Sequence, residues 1–99
     1  MLKNRAWLSL ALIPIFVGIA SAQTLPTEIK VATEGAYPPW NYTNADGSLT
    51  GYEIDLTHVL CGRMKVKCTI VSQEWNGIIP GLTVGKYDAI IASMGVTAE

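Results

Sequence analysis

Apolar and polar positions recur along this chain with two different periods, and the changes of period mark the predicted elements. Residues 28–33, EIKVAT, form a short β-rich run that predicts a strand. From Glu53 to Arg63 the residues Ile54, Leu56, Val59 and Leu60, with Met64 just beyond, lie on one apolar stripe and predict a helix. Residues 67–72, KCTIVS, predict a second strand. WNGIIPGLTVG at 75–85 puts Ile78, Ile79 and Leu82 on one face and ends in Gly85, which predicts a short second helix. Pro80 must then sit in its first turn or kink it. YDAIIASM at 87–94 is almost wholly apolar, as expected of a strand covered on both faces. Between the first strand and the first helix, PPWNYTNADGSLTGYE (38–53) predicts a hairpin, because Asp46-Gly47 suits a tight turn between two aromatic-bearing arms.

Strand, hairpin, helix, strand, helix, strand is the order of two successive βαβ units. The expected fold class is α/β, a βαβαβ parallel sheet with right-handed crossovers and an inserted hairpin. No internal repeat, low-complexity tract or linker interrupts it, and 99 residues suffice for one small domain at most.

The first 22 residues stand apart. Lys3 and Arg5 precede an apolar run from Ala6 to Ile19, broken by Pro14 and followed by the small residues Ala20-Ser21-Ala22. That order predicts a secretory signal peptide over 1–22 and a mature start at Gln23. The run is shorter than the roughly 20 apolar residues of a membrane anchor. The cleavage point carries no cysteine, so no lipid anchor is expected. The working protein, residues 23–99, is expected to be exported and soluble.

Charge removes one class of partner. In the exported part Lys30, Arg63, Lys65, Lys67 and Lys86 face Glu28, Glu34, Asp46, Glu53, Asp55, Glu74, Asp88 and Glu99. The balance is mildly acidic, and no basic stripe exists to track a phosphate backbone, so no nucleic acid is expected.

In a parallel sheet the carboxyl ends of the strands share one edge, where open α/β sheets place ligands. EGAYPPW follows the first strand, QEW the second and SMG the third, gathering Glu34, Tyr37, Trp75 and Ser93 at that edge. A carboxylate pairs with an ammonium or guanidinium. Aromatic faces sandwich the body of a ligand and attract positive charge. Backbone amides and a hydroxyl hold a ligand carboxylate. The set suits a small cation or zwitterion. Each residue also has a purely structural reading: Glu34 as a surface carboxylate, Tyr37 as packing under the hairpin, Trp75 as a helix staple, Ser93 as a loop hydroxyl without a partner. Convergence on one edge favours the ligand reading for Glu34, Tyr37 and Trp75.

Glu53 and Asp55 are two apart on a helix and do not face each other. Their place in the first turn, where negative charge complements the helix dipole, marks them as helix starters rather than a catalytic dyad. His58, the single histidine, falls mid-helix on an expected solvated face. No metal-ligand spacing, phosphate loop or activated nucleophile is visible, so no catalytic set, metal or cofactor is expected.

GYEIDLTHVLCGRM (51–64) resembles the signature segment of the family 3 periplasmic solute-binding proteins of ABC transporters. VATEGAYPPWNY, QEWNGIIPGL and KYDAIIASM are similar to flanking segments of that family, in the same order, and most like the branch that binds basic amino acids and opines of the octopine and nopaline types. The resemblance implies a two-lobed α/β protein that closes on its ligand, of which this chain is the N-terminal part of lobe one. It implies that Glu34 faces the ligand's cationic group, that Tyr37 and Trp75 sandwich the ligand, and that Ala92, Ser93 and Gly95 form a loop on its carboxylate. That loop often carries serine where this chain has Ala92 and Gly95. Family members also continue past VTAE into an arginine that grips the ligand carboxylate. The implied partners are an amino acid or opine and an ABC transporter permease, with a periplasmic location and a monomeric complete protein. The alternatives are an exported enzyme sharing this lobe, of dehydratase or murein-cleaving type, and a non-functional fragment.

Similar members of the basic amino-acid branch place a disulfide at the spacing of Cys61 and Cys68, the two cysteines of the chain. Export favours the same pairing. It requires the helix to end between them, since seven residues of helix rise about 10 Å, beyond the roughly 7 Å reach of a bridge. The alternative is two free thiols.

Overall fold

The structure, a computed structural model, describes residues 11–15, 17–19 and 24–98. The positive region, the cleavage segment and the Gln23 start of the expected signal peptide lie outside the described residues. Leu12, Ile13, Ile15, Val17 and Ile19 of its apolar run are exposed and carry no regular secondary structure. Among the described residues no helix is long and apolar enough to cross a membrane.

The elements are β1 (Glu28–Thr33), β2 (Ala36–Tyr37), β3 (Asn41–Thr43), β4 (Leu49–Thr50), α1 (Tyr52–Met64), β5 (Lys67–Ser72), α2 (Trp75–Thr83) and β6 (Ala89–Ile90). β5, β1 and β6 form a parallel sheet in that order. β1 pairs with β5 over its whole length, from Glu28↔Lys67 to Thr33↔Ser72, and with β6 at Val31↔Ala89 and Ala32↔Ile90. Successive strand side chains point to opposite faces. Val31, Ala32 and Thr33 are all buried, so β1 is covered on both. Ala32 belongs to a cluster with Ile78 of α2, Tyr87 and Ala92. α1 buries Ile54, Thr57 and Cys61.

The third strand is shorter than the apolar run 87–94 predicts. β6 is two residues long and half-buried, because within the sheet it has β1 on one side only. Its ladder is extended by Asp88 N–H to Lys30 O and Ile91 N–H to Ala32 O. Tyr87 leaves the strand line and packs its ring beneath α2, where its hydroxyl donates to the Ile78 carbonyl. That ring lies where a Cβ on Gly81 would be, so the α2–β6 contact requires glycine there.

Of the two alternatives for Pro80, the first turn is not the one taken. It sits at the sixth of the nine residues of α2, inside the helix rather than in its first turn, and the helix runs on to Thr83. Proline removes one backbone donor. The helix is held nonetheless by Ile78, 1 % exposed, in the core and by the Glu74 carboxylate, which accepts from Asn76 N–H at 3.2 Å as an N-cap.

The inserted hairpin is part of a three-stranded antiparallel sheet, β2-β3-β4. Asn44 to Ser48 makes the turn, with Asn44 N–H to Ser48 O at 2.8 Å and Gly47 N–H to Asn44 O at 2.9 Å. The Ser48 hydroxyl and then its amide donate to the Asp46 carboxylate and hold its pKa below the ordinary value. The extra strand, Ala36–Tyr37, is too short to leave a two-residue alternation in the sequence. Cys61 and Cys68 form a disulfide across the end of α1, with Cα atoms 6.0 Å apart. Lys65, at φ 56, turns the chain back between them.

Candidate functional site

α1 begins against the hairpin. Tyr52 N–H donates to Pro39 O and Glu53 N–H to Trp40 O, so backbone carbonyls satisfy two of the amides that a helix start leaves open. Gly51 makes this approach possible: it stands at φ 124 with the Trp40 carbonyl where a Cβ would be. Trp40 and Tyr52 close the junction edge to face, centroids 5.9 Å apart. Glu53 is thereby set beside Asn41 of β3.

β1 leads on to α1 and β5 to α2, and the sheet order places the two strands side by side. The chain passes from β1 through α1 to β5 on one side and from β5 through α2 to β6 on the other, so the strand order reverses at β1, which is where an open α/β sheet forms a crevice. Glu34, Tyr37, Trp75, Ala92 and Ser93 line an open cleft of about 330 Å³. Glu34 is half-buried, Tyr37 and Trp75 are exposed, and Ala92 belongs to the core. Ser72 Oγ donates to the Glu34 carbonyl at 3.0 Å and fixes the backbone there. Among the sequence-predicted residues Gly95 lies apart. It lines a neighbouring groove of about 550 Å³ with Asn76, Ile79, Pro80, Met94 and Thr97, and Trp75 is common to both.

Ser93 has a partner that sequence reasoning did not foresee. Its amide and hydroxyl donate to Glu53 Oε1 at 2.7 and 2.9 Å. Its donors are therefore engaged inside the protein. Glu53 Oε2 accepts from Asn41 Nδ2 at 2.7 Å, and Asn41 Oδ1 accepts from Gly35 N–H at 2.7 Å. Glu53 stands in the first turn, as a helix starter does, and its carboxylate also joins α1 to β3 and to the loop that carries Ser93. Asp55 in the same turn is exposed. Asn41, 0 % exposed, was also missed. The available signal was an amide flanked by Trp40 and Tyr42, since a polar side chain among aromatics needs a partner when buried. His58 is exposed. Among the described residues no group of three or more His, Cys, Asp or Glu is placed to hold a metal.

The profile of the bacterial extracellular solute-binding proteins, family 3, matches residues 29–99. The octopine-binding periplasmic protein of Rhizobium meliloti is 54 % identical over 85 residues, which is 86 % of this chain and 29 % of that protein. The L-arginine-binding protein of Pseudomonas aeruginosa is 43 % identical over 84 residues, 80 % of this chain and 32 % of that protein. The crystal structure of a periplasmic His/Glu/Gln/Arg/opine family-binding protein from Silicibacter pomeroyi, in complex with lysine, superposes with a TM-score of 0.67 at 45 % identity. It covers 70 % of this chain and 32 % of that one. The chain thus spans about a third of the length of these relatives.

Proposed function

The chain belongs to the bacterial extracellular solute-binding proteins, family 3, and from that premise we propose that it forms one wall of the ligand site of a periplasmic binding protein. The protein serves an ABC importer and takes up a cationic amino acid or an arginine-derived opine. The observation that carries this reading is the cleft itself: the Glu34 carboxylate, the rings of Tyr37 and Trp75, and no basic side chain among its lining residues. Glu34 receives the ammonium or guanidinium. The rings stack on the ligand's body and favour its positive charge. The donors of Ser93 are engaged by Glu53. The carboxylate end of the ligand then meets the loop that starts at Ala92 and Ser93 in the cleft wall and runs on through Met94 and Gly95 into the neighbouring groove. The names of the octopine- and arginine-binding relatives support the ligand class.

Export by the 1–22 signal peptide, delivery to a membrane permease, action as a monomer and binding without turnover complete the proposal. Calorimetry on the protein expressed in full from its gene tests it. L-Arginine or octopine is expected to bind more tightly than L-glutamate and to be recovered unchanged. Tighter binding of glutamate overturns the ligand class, and chemical conversion of the bound ligand favours an enzyme sharing this lobe.

A further inference from the structure

We infer that Glu53 is the positioning residue of the cleft: its carboxylate ties the loop carrying Glu34 to the loop carrying Ser93 and so fixes the span between the two ends of a ligand. This rests on the reading of the cleft as an amino-acid site and adds the residue that sets its dimensions.

The chain of bonds runs from one loop to the other without a gap. Gly35, next to Glu34, donates its amide to Asn41 Oδ1 at 2.7 Å. That bond assigns the amide's orientation, because an N–H needs an acceptor, and it turns Nδ2 toward Glu53 Oε2, 2.7 Å away. Glu53 Oε1 then takes both donors of Ser93. Ser93 stands at φ 48, a left-handed conformation that non-glycine residues seldom adopt. Two hydrogen bonds to one charged oxygen hold it there. The Ser93 loop follows β6, which pairs with β1 at two positions, so Glu53 supplies the tie the short strand lacks. An ionised carboxylate is acceptor-only, and here it meets three donors. Glutamine at this place turns an NH₂ group toward either Asn41 or Ser93, and flipping the amide only moves the mismatch.

Positioning and general stability leave different signatures. If Glu53 sets the loop that meets the ligand's carboxylate, its loss harms ligands that have a carboxylate and spares those that do not. The test uses the protein expressed in full, with L-arginine and with agmatine, which keeps the guanidinium and lacks the carboxylate. Glu53→Gln is expected to weaken L-arginine about tenfold or more, about 1.4 kcal/mol, and agmatine less than about twofold. In the unliganded variant the amides of Gly35 and Ser93 should exchange with solvent faster while that of Ala32 does not. Should Glu53→Gln fail to fold, Ser93→Ala, which leaves the Asn41 bond in place, is expected to show the same selectivity at smaller size. Equal weakening of both ligands by the folded variant, L-arginine affinity within about twofold of wild type, or unchanged exchange at Ser93 overturns the proposal. If the wild-type protein binds L-glutamine rather than L-arginine, the cationic reading alone fails. The comparison is then made with L-glutamine against 4-aminobutanamide, its decarboxylated analogue, and the exchange measurement stands unaltered.

Discussion

Lys30 and Asp88 clasp β1 to β6 through one another's backbone: the Lys30 amide donates to the Asp88 carboxylate at 2.8 Å, and the Asp88 amide donates to the Lys30 carbonyl at 2.8 Å. The pair lies at the start of the two-residue β6 ladder, so it sets the register of the strand that delivers Ala92 and Ser93 to the cleft. Asp88→Ala leaves the Lys30 amide to solvent and is expected to cost about 1 kcal/mol, the ordinary net worth of a hydrogen bond, since water screens the carboxylate's charge at this exposed site. For a chain of 99 residues that lowers Tm by about 4–8 °C. Asp88→Asn keeps an acceptor oxygen and should cost less than half as much. Thermal unfolding of both variants in the full protein checks this, and an Asn variant as damaged as Ala would show that charge, not acceptance, is what counts.

Two glycines should respond oppositely to alanine. At Gly81 the new methyl group meets the hydroxyl and ring of Tyr87, itself 5 % exposed and bonded to the Ile78 carbonyl. With no room for the ring to retreat, Gly81→Ala is expected to destabilise by about 1–3 kcal/mol. Gly62 lies within α1 with open space where a Cβ would stand. There alanine should stabilise by about 0.5–1 kcal/mol through helix propensity and a less flexible unfolded chain. Chemical denaturation of the two variants decides the matter, and a shift of the same sign in both contradicts the packing account.

Much of the scaffold was legible because it rests on local signals. The stripe from Ile54 to Met64, the Asp46-Gly47 turn and the β-rich runs at 28–33 and 67–72 each carry their own periodicity or turn chemistry, and each is an element of the structure. What the sequence hid depends on distant partners. β6 ends early because of where its sheet ends, and Pro80 is tolerated because Ile78 is anchored in a core made by other segments. In the cleft, Glu34, Tyr37, Trp75 and Ser93 follow from topology alone, since each comes after a strand of a parallel sheet. Glu53 does not. Its partner Ser93 is separated from it by |i−j| = 40, and no pattern within α1 distinguishes it from Asp55.

Cys61 and Cys68 close a short loop between α1 and β5. Thiol counting on unreduced, denatured protein exported in full should find neither free. Chain-entropy reasoning assigns so short a loop about 2–2.5 kcal/mol. The double variant Cys61→Ser, Cys68→Ser should lose a comparable amount beyond that of Cys61→Ser packing alone, since Cys61 is buried. Ligand affinity should be unchanged, because neither residue lines the cleft. Two reactive thiols per chain would remove the basis for this prediction.

Glu34→Gln tests the cationic end of the cleft with little disturbance elsewhere. The Glu34 backbone is fixed by Ser72 Oγ at its carbonyl and, through Gly35, by Asn41, and glutamine leaves both bonds in place. What changes is the charge at a half-buried position in a cleft that Tyr37 and Trp75 also line. A charge-assisted bond is worth about 1.5–3 kcal/mol, so L-arginine or octopine affinity should fall by about 10- to 150-fold. Unliganded Tm should move by less than about 2 °C. Affinity for a neutral amino acid such as L-glutamine should stay the same or rise, since no cation is then left facing an uncharged amide. Calorimetric titration of wild type and variant with all three ligands reads the affinities, and thermal unfolding without ligand reads the Tm. Equal losses for charged and neutral ligands would mean that Glu34 shapes the cleft rather than reading the ligand's charge.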